Sequence, residues 1–144
     1  KHEGPVLILR SDFYGLNFFR DRFTLLSWII HNAENSIQMD GWENIYFSPI
    51  SADKLTKTIE KCINLKIEGI FNVGSEDSCS KYDFVEAVCK VINTTPIIIK
   101  NEIKSNIRPR DSVLCCDKIK KNIVFECKWR DVLSEYLNTN YTNG

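Results

Sequence analysis

Histidine is scarce in this chain: His2 and His31 are isolated, and no cysteine or histidine spacing resembles a zinc site. Glycine is sparse as well. The six glycines lie at positions 4, 15, 41, 69, 74 and 144, with no pair two or three residues apart. The glycine-rich turn that lets bare backbone approach a pyrophosphate at a helix start is therefore missing. No Tyr-x-x-x-Lys pair occurs either: Tyr14 leads to Phe18, Tyr46 to Ile50, Tyr82 to Glu86 and Tyr136 to Asn140, and Tyr141 runs into the terminus. That removes the phenol beside an ammonium that would serve as proton donor in carbonyl reduction. Net charge is absent too. Nineteen basic residues balance nineteen acidic ones, so nothing marks a nucleic-acid or acidic-membrane partner. The longest apolar runs are too short to span a bilayer and no leader pattern opens the chain, which makes the cytoplasm the expected compartment.

Cysteine is plentiful by comparison. Six residues, at 62, 79, 89, 115, 116 and 127, form no C-x-x-C pair, and several fall inside apolar helical patterns. Buried reduced thiols are the expectation, with Cys115 and Cys116 pointing to opposite sides. At 144 residues the chain is long enough for a core without metals or disulfides.

The apolar pattern alternates between strands and helices, which predicts a mixed α/β fold. "PVLILR" reads as a strand buried on both faces, and the spacing Phe19, Phe23, Leu26, Ile30, Ala33 predicts a helix from about residue 18 to Asn35. "NSIQMDGWENIYFSPIS" reads as two short strands about a turn at Asp40-Gly41. A helix from near Ser51 presents Leu55, Ile59 and Cys62. "GIFNVGS" is a further buried strand, and "SKYDF" opens a helix with a capping box between Ser80 and Asp83. "PIIIK" is a strand, "RPRDSVLCC" an extended loop entering a strand, and "DKIKK" a helical turn. Trp129, Val132, Leu133, Tyr136 and Leu137 mark a closing amphipathic helix before a tail.

Anion binding is the chemistry that remains. Arg108 is always charged and can grip two phosphate oxygens, Pro109 holds the residue before it extended, and Asp111 can accept from sugar hydroxyls. A solvated turn whose arginines pair with nearby acids fits the same residues equally well. Three other places invite the same question. Arg10 ends a strand and Ser11 to Asn17 leave its carboxyl end, where ligands of open α/β sheets bind, unless Arg10 merely salts a sheet edge. Ser48 precedes a proline that reads either as a cis proline or as an edge-strand stop. Asn72, Gly74 and Ser75 read best as a helix N-terminal turn.

Taken in order, "LILRSDFYGLNFF", "FSPISADKL", "GIFNVGSEDSCSKYDF" and "RPRDSVLCCDKI" resemble the second half of an extended short-chain dehydrogenase/reductase, and in particular the dTDP-4-dehydrorhamnose reductase group. The likeness runs from about residue 6 to 136. "LCCDK" departs from the family's usual Leu-Asp step. The family's glycine-rich turn and Tyr-x-x-x-Lys lie upstream of where this chain begins, and Lys1 is too close to Val6 to be the catalytic lysine.

The resemblance implies the C-terminal part of an NAD(P)-binding Rossmann-type fold, a mixed sheet with helices carrying a substrate-binding subdomain. Residues 1–20 would be the last part of the dinucleotide-binding sheet, 21–138 the substrate-binding domain and 139–144 a disordered tail. It implies cofactor contacts from Arg10, Ser11, Asp12 and Phe13, and substrate contacts from Tyr14, Asn17, Phe18, Ser48, Pro49, Arg108 and Asp111. No catalytic residue and no metal ligand is expected in the chain. The implied partners are a nucleoside-diphosphate sugar and an N-terminal dinucleotide-binding half, with a homodimer possible and neither nucleic acid nor membrane involved. NADP or NAD would serve the complete enzyme and would not bind tightly to these residues alone, which are not competent for turnover by themselves. A nucleotide-sugar epimerase or dehydratase fits the same motifs, as does a reductase-like binding or regulatory subunit without catalysis. An unrelated α/β domain is the remaining alternative.

Overall fold

A computed structural model describes residues 4–17, 24–104 and 111–141. Nine short strands and five helices alternate along them. β1 (Leu7–Arg10) pairs in parallel with β6 (Gly69–Asn72), and β2 (Asp12–Tyr14) pairs in parallel with β5 (Pro49–Ser51), Asp12 opposite Pro49. β3 (Met39–Trp42) pairs in parallel with β8 (Ile98–Asn101). In the remaining sheet β4 (Tyr46–Phe47) lies between β7 (Cys79–Ser80), antiparallel, and β9 (Asp111–Ser112), parallel. The mixed α/β class expected from the sequence is therefore present.

The helices begin where their caps dictate. Thr24, extended, accepts from the Ser27 amide and starts α1 (Leu25–Glu34); Ser51 does the same for α2 (Ala52–Asn64) through the Lys54 amide. α3 (Lys81–Val91) opens with the reciprocal Ser80–Asp83 box that the sequence announced. α4 (Asp117–Lys120) is one turn, and α5 (Trp129–Asn140) buries all five residues of its expected stripe. α5 runs two residues into the expected tail, and the Tyr141 hydroxyl donates to Glu34 Oε1.

Three expectations are corrected. Asp40-Gly41 is not a turn. β3 runs straight through it, and a Cβ on Gly41 would lie 2.6 Å from Tyr82 Cδ2 and 2.7 Å from Ile98 Cγ2. Glycine is there for close packing against α3 and β8, and β3 finds its partner across the chain rather than in a hairpin. β1 and β6 are not buried on both faces: Ile8 and Ile70 are each 45% exposed, because the two-stranded ladder carries cover on one side only. "LCC" is not a strand, since β9 ends at Ser112. Among the described residues the first helix starts at Leu25, after its cap, and the expected beginning near residue 18 lies outside them.

Two apolar clusters form the interior. One gathers α1, α3 and α5 around Phe84, Leu26 and Leu133; the other gathers β5, β6, α2 and α4 around Ile50, Phe71 and Ile119. α5 contributes to both, with Trp129, Leu133, Tyr136 and Leu137 on one side and Val132 on the other. No helix among the described residues is long and apolar enough to cross a membrane.

Candidate functional site

Hydrogen bonds stitch the sequence motifs together. β2, from "SDFYG", lies beside β5, from "FSPIS". Ser48 is fully buried, and its Oγ accepts from the Leu114 amide at 3.1 Å. Ser112 Oγ donates to the Tyr46 carbonyl at 3.1 Å, and Asn72 Nδ2 donates to the Cys115 carbonyl at 3.3 Å. Gly74 sits so close to Ser48 that an added Cβ would lie 2.8 Å from its carbonyl oxygen. Segments separated by up to a hundred residues thus form one structure, with β2 paired to β5 and β9 paired to β4.

Two clefts open against this structure. The first, about 320 Å³, is lined by Asp12, Phe13, Tyr14, Leu25, Phe47 and Lys81 among others. The second, about 340 Å³, is lined by Leu25, Trp28, Asp40, Trp42, Ile45, Lys81 and Val85. Both have the size and largely apolar lining of small-molecule sites. Lys81 and Leu25 border both.

The position of Lys81 follows from strand pairing. β4 and β7 align Phe47 with Cys79 and Tyr46 with Ser80, and the Lys81 amide donates to the Ile45 carbonyl at 2.9 Å. The side chain then folds back over Phe47, its ammonium 3.2 Å from the ring centroid. Burial pushes this ammonium below the ordinary lysine range, opposed by the charge of Asp12. Nothing in the sequence singled out Lys81, because a first helical residue after a serine cap ordinarily points to solvent. Trp28, Trp42 and Phe47 were missed for a different reason: apolar periodicity does not distinguish a cleft wall from a core.

The expected site residues separate into groups. Asp12, Phe13 and Tyr14 line the first cleft together. Phe13 is 64% exposed, whereas the Tyr14 ring is buried among Phe84 and Tyr136. Burial, then nearby Cys127, raises the Tyr14 phenol far above its usual range, so it stays protonated. Its hydroxyl, Ser11 Oγ and Asp12 Oδ2 are buried without a hydrogen-bond partner. Arg10 stands exposed at the end of β1 opposite Asn72. The Asn17 amide donates to Ser27 Oγ at 3.0 Å, fixing the chain entering α1. Ser48 and Pro49 are buried and line neither cleft. Asp111 is exposed in β9, its Oδ1 accepting from the Val113 amide at 2.9 Å. Phe18 and Arg108 lie outside the described residues. Among those residues no group of three or more His, Cys, Asp or Glu side chains is placed to hold a metal ion.

The sequence matches the model of the RmlD substrate binding domain over residues 20–142. The chain belongs to that family. The fold of this RmlD domain is shared with solved sugar-nucleotide enzymes. dTDP-4-dehydrorhamnose reductase from Bacillus anthracis, in complex with NADP, superposes with a TM-score of 0.83 at 17% identity, over 95% of this chain and 49% of that one. The Clostridium acetobutylicum dTDP-4-dehydrorhamnose reductase gives a TM-score of 0.82 at 20% identity, over 94% and 49%. B. anthracis dTDP-glucose 4,6-dehydratase, in complex with NAD, gives 0.71 at 17%, over 94% and 45%. The RmlD domain thus spans about half the length of each, and the likeness establishes the fold as that of a Rossmann-type extended short-chain dehydrogenase/reductase. No curated protein matches the sequence.

Proposed function

We propose that this chain is the substrate-binding portion of an NAD(P)-dependent sugar-nucleotide reductase, and that it holds a nucleoside-diphosphate sugar whose keto group is reduced in the complete enzyme. The observation that carries this reading is the convergence of the motifs: the residues after β1, the Ser-Pro step, the end of β6 and the segment from Asp111 to Cys116 are joined by direct contacts. The cleft beside them is large enough for a sugar and mostly apolar.

The residues present fit one end of a nicotinamide cofactor. Ser11 Oγ and Asp12 Oδ2 are polar atoms in want of a partner just past the carboxyl end of a parallel strand, and Phe13 offers an exposed ring. Arg10, Ser11, Asp12 and Phe13 would flank the nicotinamide, while the pyrophosphate would be held by residues outside this sequence. Bound NADPH or NADH supplies the hydride. Tyr14, Asn17, Ser48 and Pro49 shape and brace the sugar side. Phe18 would approach the sugar nucleotide, and Arg108 with Asp111 would hold its diphosphate.

Titration calorimetry of the full protein with dTDP-glucose and UDP-glucose tests this. Binding is expected for at least one of them, and Arg108→Ala should weaken it far more than Arg110→Ala. Equal effects would overturn the Arg108 clamp, and no binding of either ligand would overturn the reading itself. A nucleotide-sugar epimerase or dehydratase is the second reading, favoured by the superposition on the dehydratase.

A further inference from the structure

The chain from Asn101 to Leu114 meets one short stretch, Trp42 to Ser48, twice. β8 ends with Asn101 opposite Trp42, and just beyond it the Asn44 side chain grips the backbone of Ile103, its Oδ1 accepting from the amide at 3.0 Å and its Nδ2 donating to the carbonyl at 3.1 Å. Both polar ends of one amide are engaged by one residue. β9 then pairs in the same parallel sense, Asp111 opposite Tyr46, while Ser112 Oγ donates to the Tyr46 carbonyl at 3.1 Å and the Leu114 amide donates to Ser48 Oγ at 3.1 Å. From Trp42 to Tyr46 the first segment advances four positions, whereas its partner advances ten, from Asn101 to Asp111, a surplus of six. That surplus falls between Ile103 and Asp111, the part of the sequence that holds Arg108.

The anchors on its two sides differ in kind. β9 is two residues long, and Asp111, Ser112 and Val113 are exposed, so water competes for their polar groups. Ser48 is fully buried, and Gly74 presses against it so closely that an added Cβ would lie 2.9 Å from Ser48 Cβ. Its backbone and Cβ therefore have little room to shift. Without its hydroxyl the Leu114 amide, partly shielded from water, would lose its acceptor. At the other side Asn44 copies the donor and acceptor of a peptide group and extends the grip of β3 by one more residue pair. Neither Asn44 nor Ser48 lines either cleft.

Resting on the reading above of Arg108 and Asp111 as the diphosphate end of the site, we infer that Asn44 and Ser48 are positioning residues for it. They pin the chain at Ile103 and at Leu114 to the stretch between β3 and β5, and so fix where the diphosphate-binding residues stand without touching the ligand themselves. Ser48 thereby leaves the sugar side, where the family resemblance put it. Pinning both sides removes freedom that ligand binding would otherwise have to remove, so the two side chains contribute affinity from a distance.

The test follows amide exchange at Ile103, Leu114 and Leu133 by NMR, and affinity for dTDP-glucose and UDP-glucose by calorimetry, on the full protein. Asn44→Ala should speed exchange at Ile103, and Ser48→Ala at Leu114, by roughly two- to tenfold, the range of one hydrogen bond. Leu133, in the core of α5, should keep its wild-type rate. Each variant should weaken the better ligand by a similar factor. Combined with Arg108→Ala, either substitution should add little further loss, because it acts through a clamp already removed. Fully additive losses, or unchanged affinity in both single variants, overturn the positioning role. If Leu133 speeds up equally, the two side chains serve general stability and the inference fails. Should neither nucleotide sugar bind the wild type, or should Arg108→Ala cost nothing, it is the reading of the clamp that fails, and exchange decides the pinning alone. Faster rates confined to Ile103 and Leu114 then uphold it, and unchanged rates overturn it. Asn44→Ala carries the test if Ser48→Ala does not fold.

Discussion

Phe84→Ala is expected to be among the most damaging single substitutions in this chain. The side chain is fully buried at the centre of the first cluster, with its ring centroid 5.2 Å from Tyr14, 5.3 Å from Phe47 and 6.2 Å from Trp129. Those three rings come from β2, β4 and α5, so one side chain ties α3 to the two strands that line the first cleft and to the closing helix. Truncating a buried phenylalanine typically costs about 3–5 kcal/mol, from lost transfer energy and the cavity left behind. With a urea m value of about 2 kcal/mol/M, the unfolding midpoint should fall by about 1.5–2.5 M. Phe84→Leu keeps most of the volume and gives up the ring contacts, each worth roughly 0.5–1.5 kcal/mol, and should cost clearly less than the alanine. Equilibrium urea unfolding followed by tryptophan fluorescence suits the measurement, because Trp129 is one of the contacting rings. Ile63→Ala, at a side chain 64% exposed, is the control and should fall within about 0.5 kcal/mol of wild type. A Phe84→Ala cost below about 1 kcal/mol would refute the view that this cluster holds α3 to the site.

Two further outcomes follow from particular contacts. Glu76 accepts from Lys120 Nζ at 2.9 Å and from the Cys127 amide at 2.9 Å, and these hold its carboxyl below the usual value of 4.5. A depressed carboxylate contributes stability above its unfolded value and loses it as pH falls through the folded one, so Glu76→Gln should flatten the stability profile below about pH 4.5. An unchanged acid limb in urea titrations of the variant would contradict that. Cys115 is exposed, whereas the other five thiols are buried, with burial raising Cys79 and Cys127 to about 12. An aromatic disulfide reagent at neutral pH should therefore titrate one thiol quickly and five only on unfolding, and Cys115→Ser should abolish the fast phase.

Much of the fold was legible because its signals are local. Serine caps, the Ser80–Asp83 box and the Trp129–Leu137 stripe each depend on residues within one or two turns, and each is where the spacing put it. The failures are non-local. Asp40-Gly41 has the chemistry of a turn, and only the approach of Tyr82 and Ile98 reveals why the glycine is there. "PVLILR" is apolar at every position, yet the sequence could not say that Ile8 would face outward. At the site, the family resemblance pointed to Asp12, Phe13 and Tyr14, which line the first cleft, while Lys81 needed the β4–β7 register to bring it over Phe47. A residue whose role comes from a partner more than thirty positions away leaves no pattern in its own neighbourhood.

The double allegiance of α5 has a consequence for how the chain is made. Both apolar clusters lean on this helix, one through Trp129, Leu133, Tyr136 and Leu137 and the other through Val132. A polypeptide leaving the ribosome amino end first exposes β1 to α4 before either cluster can close. Until residues 129–137 emerge, Phe84 and Ile50 have no lid, and the nascent segment is the species most in need of a chaperone. Any pause before those residues leave the ribosome would prolong the exposure.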